Sequence, residues 1–127
     1  MNKSLTNNGK LQIKAKVKKK PKENEMNIDL SITGNIASMK IDGILNSENA
    51  HLLQEKLSEV LASKCTLLEL DLLDCRNISS TGIGKILLFY KDFISTGGEI
   101  EVIRSSSNVY ELFSMLKLNQ LFTVNLG

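Results

Sequence analysis

From residue 26 onward the apolar positions of this chain follow two rhythms. Met26, Ile28, Leu30 and Ile32 alternate with polar neighbours, then Gly34-Asn35 intervenes, then Ile36 to Ile41 alternates less cleanly before Asp42-Gly43. Alternation on both sides of a two-residue glycine turn predicts a β-hairpin. The next stretch changes period. Leu53, Leu57, Val60 and Leu61 fall on one helical face, with Glu55, Lys56 and Glu59 opposite. A helix is expected over about 47–62, with Asn46 or Ser47 supplying the cap oxygen and Glu48 in the first turn.

The run Thr66 to Leu73 is almost continuously apolar, which predicts a central parallel strand covered on both faces. Residues 74–82 read as a loop. Ile83, Ile86, Leu87, Tyr90 and Ile94 then mark a second amphipathic helix, ended by Gly97-Gly98. Glu99 to Arg104 predicts a further strand, and Ser105-Ser106-Ser107 offers a cap. Val109, Leu112, Phe113 and Leu116 mark a third helix, and Leu121 to Leu126 a short last strand. The order β-β-α-β-α-β-α-β predicts a single α/β domain, a mixed sheet of four or five strands with about three helices.

Upstream of the hairpin the pattern is different. Residues 10–20, KLQIKAKVKKK, alternate Lys or Gln with Leu11, Ile13, Ala15 and Val17. This is either an edge strand blunted by lysines or a solvated tail. Residues 1–25 carry eight Lys and two Glu, and the remaining chain eight basic and twelve acidic residues. The domain organisation is therefore a basic arm, 1–25, on an acidic body, 26–127. The body does not suit nucleic acid, and the arm lacks aromatic side chains to stack on bases.

Composition narrows the chemistry. The chain has 127 residues, 42% apolar and only 5% aromatic, with no Trp, which predicts an aliphatic core. Cys65 and Cys75 are too few and too isolated for a disulfide framework, and no apolar leader opens the sequence, so a cytoplasmic location with free, buried thiols is expected. No segment reaches the ~20 apolar residues of a membrane span. One His and two Cys do not make a metal site, and His51 reads as a surface residue. No cofactor is expected. No nucleophile with a base and no paired carboxylates stand out, so a binding module is favoured over an enzyme.

The richest segment is Asp71 to Lys85, DLLDCRNISSTGIGK: a strand end, a turn with three hydroxyls, then a helix. Ligands of open α/β sheets gather at such strand ends. A phosphate-cradling loop would need Gly where Ser79 stands and Ser or Thr where Ile86 stands, so Gly82-x-Gly84 is weak support for nucleotide chemistry. Two readings of Ser79, Ser80 and Thr81 remain open: plain helix capping, or a phosphoacceptor at the helix start.

These residues resemble the STAS family of bacterial anti-sigma-factor antagonists. LLELDLL, with Asp71, is similar to the family's buried strand, and Ser79-Ser80-Thr81-Gly82 to its Asp-Ser-Ser/Thr-Gly motif. Asp42-Gly43-Ile44-Leu45-Asn46 resembles the turn before the first helix, and Gly97-Gly98-Glu99-Ile100-Glu101-Val102 the entry to the fourth strand. Val109 to Phe113 and Leu118 to Phe122 resemble the third helix and its ending.

The resemblance implies a partner switch. Ser80 is the implied phosphoacceptor, ahead of Thr81 and Ser79. Asn46, Arg76, Asn77, Ser79, Thr81, Gly82 and Lys85 are expected at the partner surface. The implied partners are an anti-sigma factor with serine kinase activity and a resetting phosphatase. The sequence departs from the family at Ser79 and Asn46, where the family has acids, and at Lys117, where it has Gly. The last helix of many relatives is expected to be missing. These departures keep a second reading in play, a non-phosphorylated STAS scaffold of a lipid-transport or sensory complex.

Overall fold

The computed structural model describes residues 25–127. The expected edge strand or tail at 10–20 lies outside the described residues. The elements are β1 (Met26–Thr33), β2 (Ile36–Leu45), α1 (Ala50–Ala62), β3 (Leu67–Leu72), β4 (Cys75–Ile78), α2 (Ser80–Ser95), β5 (Glu99–Ser105), α3 (Ser107–Met115), a 3-10 turn (Leu118–Gln120) and β6 (Thr123–Val124).

The hairpin forms as its alternation predicts. β1 pairs antiparallel with β2 from Met26 opposite Gly43 to Thr33 opposite Ile36. Gly34 takes φ +59° at the first central position of the two-residue turn, where a type II′ geometry requires it. The sheet then runs β1-β2-β3-β5-β6, with every pair after the first parallel. Because each crossover advances in the same direction, right-handed connections put all three helices on one face. Met39, Ile41, Leu68, Leu70, Leu72 and Val102 point into that face and are at most 2% exposed.

Three expectations are corrected. β3 is covered on one face only: Leu68, Leu70 and Leu72 are buried, while Leu67, Glu69 and Asp71 lie half-buried on the other. The helices' single-sidedness explains this. The loop expected at 74–82 contains a sixth strand, β4, which pairs parallel with the end of β2, Leu45 opposite Ile78. Four residues are too few to show a period, so only the tertiary pairing defines them. The core is also less purely aliphatic than composition suggested. All four Phe residues are buried, with Phe89 and Phe93 stacked at 4.7 Å and Phe113 edge-on to Phe122 at 6.3 Å.

Helix α2 is rotated from the expected stripe. Ile83 and Ile86 are buried, but Phe89 and Phe93 complete the face, and Ile94 is 42% exposed. Helix α1 starts at Ala50 rather than 47. Asn49 holds the cap position without a side-chain cap bond, and Glu48 precedes the helix. Lys117 takes φ +62°, the left-handed conformation that favours glycine, so the α3 ending keeps its backbone course without the residue best suited to it.

The open face of the sheet is polar. Arg104 donates to Asp71, Lys40 pairs with Asp74 at 3.2 Å, and Ser38 donates to Glu69 at 3.5 Å. Burial pushes the Asp71 carboxyl up, but hydrogen bonds from Arg104 and the Leu73 N–H outweigh it and hold it below the usual range.

Both cysteines are buried and free. Burial pushes the Cys75 thiol up to about 12 from a reference of 9.0. Its thiolate is therefore scarce at neutral pH, and Cys75 should resist alkylation at pH 8 until the chain unfolds. The linkage has a definite sign. Between pH 9.0 and about 12 the unfolded thiol loses its proton while the folded one keeps it, so stability should fall as pH rises through that window. Denaturant titrations of wild type and Cys75→Ala across it check this: the alanine variant should show the shallower decline.

Candidate helix-start interface

The end of the sheet where β2 and β4 finish is where α2 begins. Ser79 extends from β4, and its N–H donates to the Leu45 carbonyl at 2.8 Å, tying the two strand ends together. Its backbone is extended (φ −76°, ψ 167°) and its Oγ accepts from the Gly82 N–H at 3.3 Å. Ser79 is thus the N-cap of α2, a contribution of about 1 kcal/mol to the helix. The capping reading and the phosphoacceptor reading fall on different hydroxyls.

Ser80 is the first residue of the helix, and Ser80 and Thr81 are both exposed. Their hydroxyls have no hydrogen-bond partner among the described residues. Their backbone N–H groups lie in the first helical turn, which an α-helix leaves without internal acceptors. The positive end of the helix dipole sits there, so an added anion does not disrupt the helix.

Gly82 and Ile83 anchor this turn from below. A Cβ on Gly82 would stand 2.6 Å from Leu45 Cδ2 and 2.9 Å from Ile78 Cγ2. The first turn of α2 therefore lies directly on the ends of β2 and β4. Gly82→Ala should cost about 1–3 kcal/mol through this overpacking. Equilibrium urea unfolding measures it; a stability unchanged from wild type would mean the helix start can lift away freely.

Asn46 follows Leu45 beside this helix start. Its Oδ1 accepts from the Glu48 and Asn49 N–H groups at 2.9 and 3.0 Å, and Asn49 Oδ1 accepts from the Asn46 N–H at 2.9 Å. The Asn46 side chain thus organises the turn ahead of α1 instead of capping the helix. Arg76 and Asn77, expected in a loop, are exposed residues of β4. Ser106 Oγ donates to the Cys75 carbonyl at 2.7 Å and Asn108 Nδ2 to the Arg76 carbonyl at 3.4 Å, so the start of α3 braces β4.

Ser79, Ser80, Thr81, Gly82, Asn46, Arg76 and Asn77 are thereby gathered at one end of the sheet. Lys85 is set apart. It is half-buried along α2, in the wall of a groove of about 100 Å³ between α1 and α2 with Gln54, Leu57, Leu61, Leu88 and Asp92. Sequence reasoning passed over Leu88, which is 64% exposed on this groove, and the bracing pair Ser106 and Asn108. Leu88 carried a legible signal, since it is a large apolar residue lying outside the buried stripe of the helix. The bracing residues carried none, because their partners are backbone carbonyls some thirty residues away.

Residues 27–126 match the family model of the STAS domain. The chain belongs to the STAS family. Several solved structures share the fold. An anti-sigma factor antagonist from Mycobacterium paratuberculosis superposes with a TM-score of 0.73 at 14% identity, over 82% of this chain and 88% of that one. The anti-sigma factor antagonist SpoIIAA in its unphosphorylated form gives 0.67 at 16% identity, over 78% and 88%. The Bacillus cell fate determinant SpoIIAA in its phosphorylated form gives 0.64 at 15% identity, over 78% and 91%. This STAS domain also has no helix long and apolar enough to cross a membrane among the described residues.

Proposed function

We propose that this STAS protein is an anti-sigma-factor antagonist that works by partner switching. With Ser80 unmodified, the end of the sheet carrying the α2 start docks an anti-sigma factor that is also a serine kinase. Phosphorylation of Ser80 releases that partner, and a phosphatase resets the site. The observation that carries the reading is the division of labour at the helix start. Ser79 does the capping, so the Ser80 hydroxyl is exposed, unengaged and replaceable by a phosphate without loss of the helix. A phosphate adds about −1.5 to −2 charges to a surface that must lose its water to dock, while the fold beneath stays intact.

Asn46, Arg76, Asn77, Thr81 and Lys85 serve in this reading as the footprint around the switch. The neutral Ser79 and Asn46, where the family has acids, favour a second reading in which the same surface docks a scaffold partner constitutively. Intact-mass analysis after incubation with cognate kinases and ATP separates the two. A single phosphoryl adduct on Ser80, absent from Ser80→Ala, supports the switch. An unmodified chain with every cognate kinase, together with stable capture in a membrane complex, overturns it in favour of the scaffold.

A further inference from the structure

Leu57 and Leu61 of α1 face Lys85, Leu88, Phe89 and Asp92 of α2 across the groove of about 100 Å³. The α2 residues are spaced i, i+3, i+4 and i+7 and the α1 pair i and i+4, so each helix gives the groove one stripe. Leu57 and Phe89 are buried, Leu61 is half-buried and Leu88 stands 64% exposed on the rim. The Lys85 and Asp92 side chains have no hydrogen bond or ion pair among the described residues. Both helices cross between parallel strands and so run in one direction. Lys85 therefore lies at the Ser80 end of the groove, and Asp92 lies seven residues on, about 10 Å along the axis. The groove is apolar along its middle, cationic at one end and anionic at the other.

A cleft about two helical turns long covers far less than the ~800 Å² per partner of a stable protein interface, so it does not hold a second protein by itself. It is continuous with another surface. Thr81, exposed in the first turn of α2, precedes Lys85 by four residues and lies on the same face. A protein docked at the helix start thus meets the groove without leaving α2. The volume takes about one large apolar side chain. An extended segment would press unpaired backbone groups against the leucines, whereas a helix satisfies its own.

We propose that the groove receives an amphipathic helix of the partner that docks at the Ser80 end, with one large apolar side chain between Leu61 and Leu88, an acidic side chain against Lys85 and a basic one against Asp92. A helix offers such a set on one face at i, i+3 or i+4, and i+7. The reverse orientation would bring like charges together at both ends, so Lys85 and Asp92 fix the direction of the docked helix as well as its composition. Docking in the groove rests on the reading that a partner covers the α2 start; it does not depend on whether Ser80 is phosphorylated.

Titration of the full-length chain against the partner found by intact mass or capture, kinase or scaffold, tests this. Lys85→Glu, Asp92→Lys and Leu88→Ala should each weaken binding by about tenfold. Their urea midpoints should match wild type, since none of the three side chains is buried. The two reversals shift net charge in opposite directions, so a loss in both excludes a general electrostatic attraction. A benzophenone carried on Ser58→Cys, in the groove wall, should crosslink to a partner segment with a base and an acid two turns apart and an apolar residue between them. Cys65 and Cys75 are buried, so the introduced thiol takes the label. Wild-type affinity in all three variants overturns the proposal, and so does a crosslink to residues 1–25 or to a second copy. Ser80→Asp in the same titration keeps the two readings apart. A loss there with the groove variants unaffected leaves the switch without the groove, and the converse leaves the groove without the switch.

Discussion

Under the proposed switch, Ser80→Asp should weaken binding of the kinase partner by roughly tenfold to a thousandfold, while Ser80→Ala stays within a few-fold of wild type. The asymmetry follows from the geometry of the helix start. Ser80 is exposed and makes no hydrogen bond among the described residues, so removing its hydroxyl leaves no buried group unpaired. Introducing a carboxylate is different. Docking would strip its water, and leaving one charge desolvated without a partner costs about 2–4 kcal/mol. The fold should not register either change, because the cap bond belongs to Ser79 and a negative side chain at the first helical residue suits the helix dipole. Isothermal titration with the cognate kinase, alongside urea melts of both variants, measures affinity and stability separately. Equal affinities for the alanine and aspartate variants would refute the switch and leave a constitutive docking surface.

Leu70→Ala should have the largest effect on stability, about 2–5 kcal/mol. Leu70 is 2% exposed in β3, with Met39 of β2 on one side and Val102 of β5 on the other. Those flanking strands hold its backbone on both sides, so the sheet cannot close over the missing atoms and a cavity stays. The second face of the strand makes the contrast informative. Leu67 is only half-buried on that side, and its truncation to alanine should cost clearly less. A midpoint shift in urea with an unchanged slope would assign the loss to the native core. A loss below about 0.5 kcal/mol would place Leu70 outside the packed interior, which its burial contradicts.

The groove between α1 and α2 fits into the same picture as the helix start. Lys85 and the exposed Leu88 lie along α2 beyond Ser80, so a partner that covers the start of the helix can continue down its side. In the proposed switch, the groove would supply apolar contact area and the helix start the charge-sensitive element. Affinity and its regulation can thus be carried by neighbouring but separate groups of residues.

Period and punctuation in the sequence determined most of the architecture. Alternation before Gly34-Asn35, and looser alternation after it, pointed to a hairpin, and the switch to helical spacing at Leu53, Ile83 and Val109 set three crossovers. These are local signals, each decided by the chain's own backbone chemistry within about ten residues. A serine cap for α3 within Ser105-Ser106-Ser107 and the order of the motif from Asp71 to Lys85 were legible for the same reason. Tertiary structure alone decided the rest. Four residues of β4 carry no period, and they become a strand because β2 offers them a partner. The polar second face of β3 follows from all crossovers having one hand, a property of the assembled sheet. Which of three adjacent hydroxyls caps the helix depended on where β4 delivers the chain to α2, because the tie from Ser79 to Leu45 sets Ser79 at the cap and leaves Ser80 facing solvent.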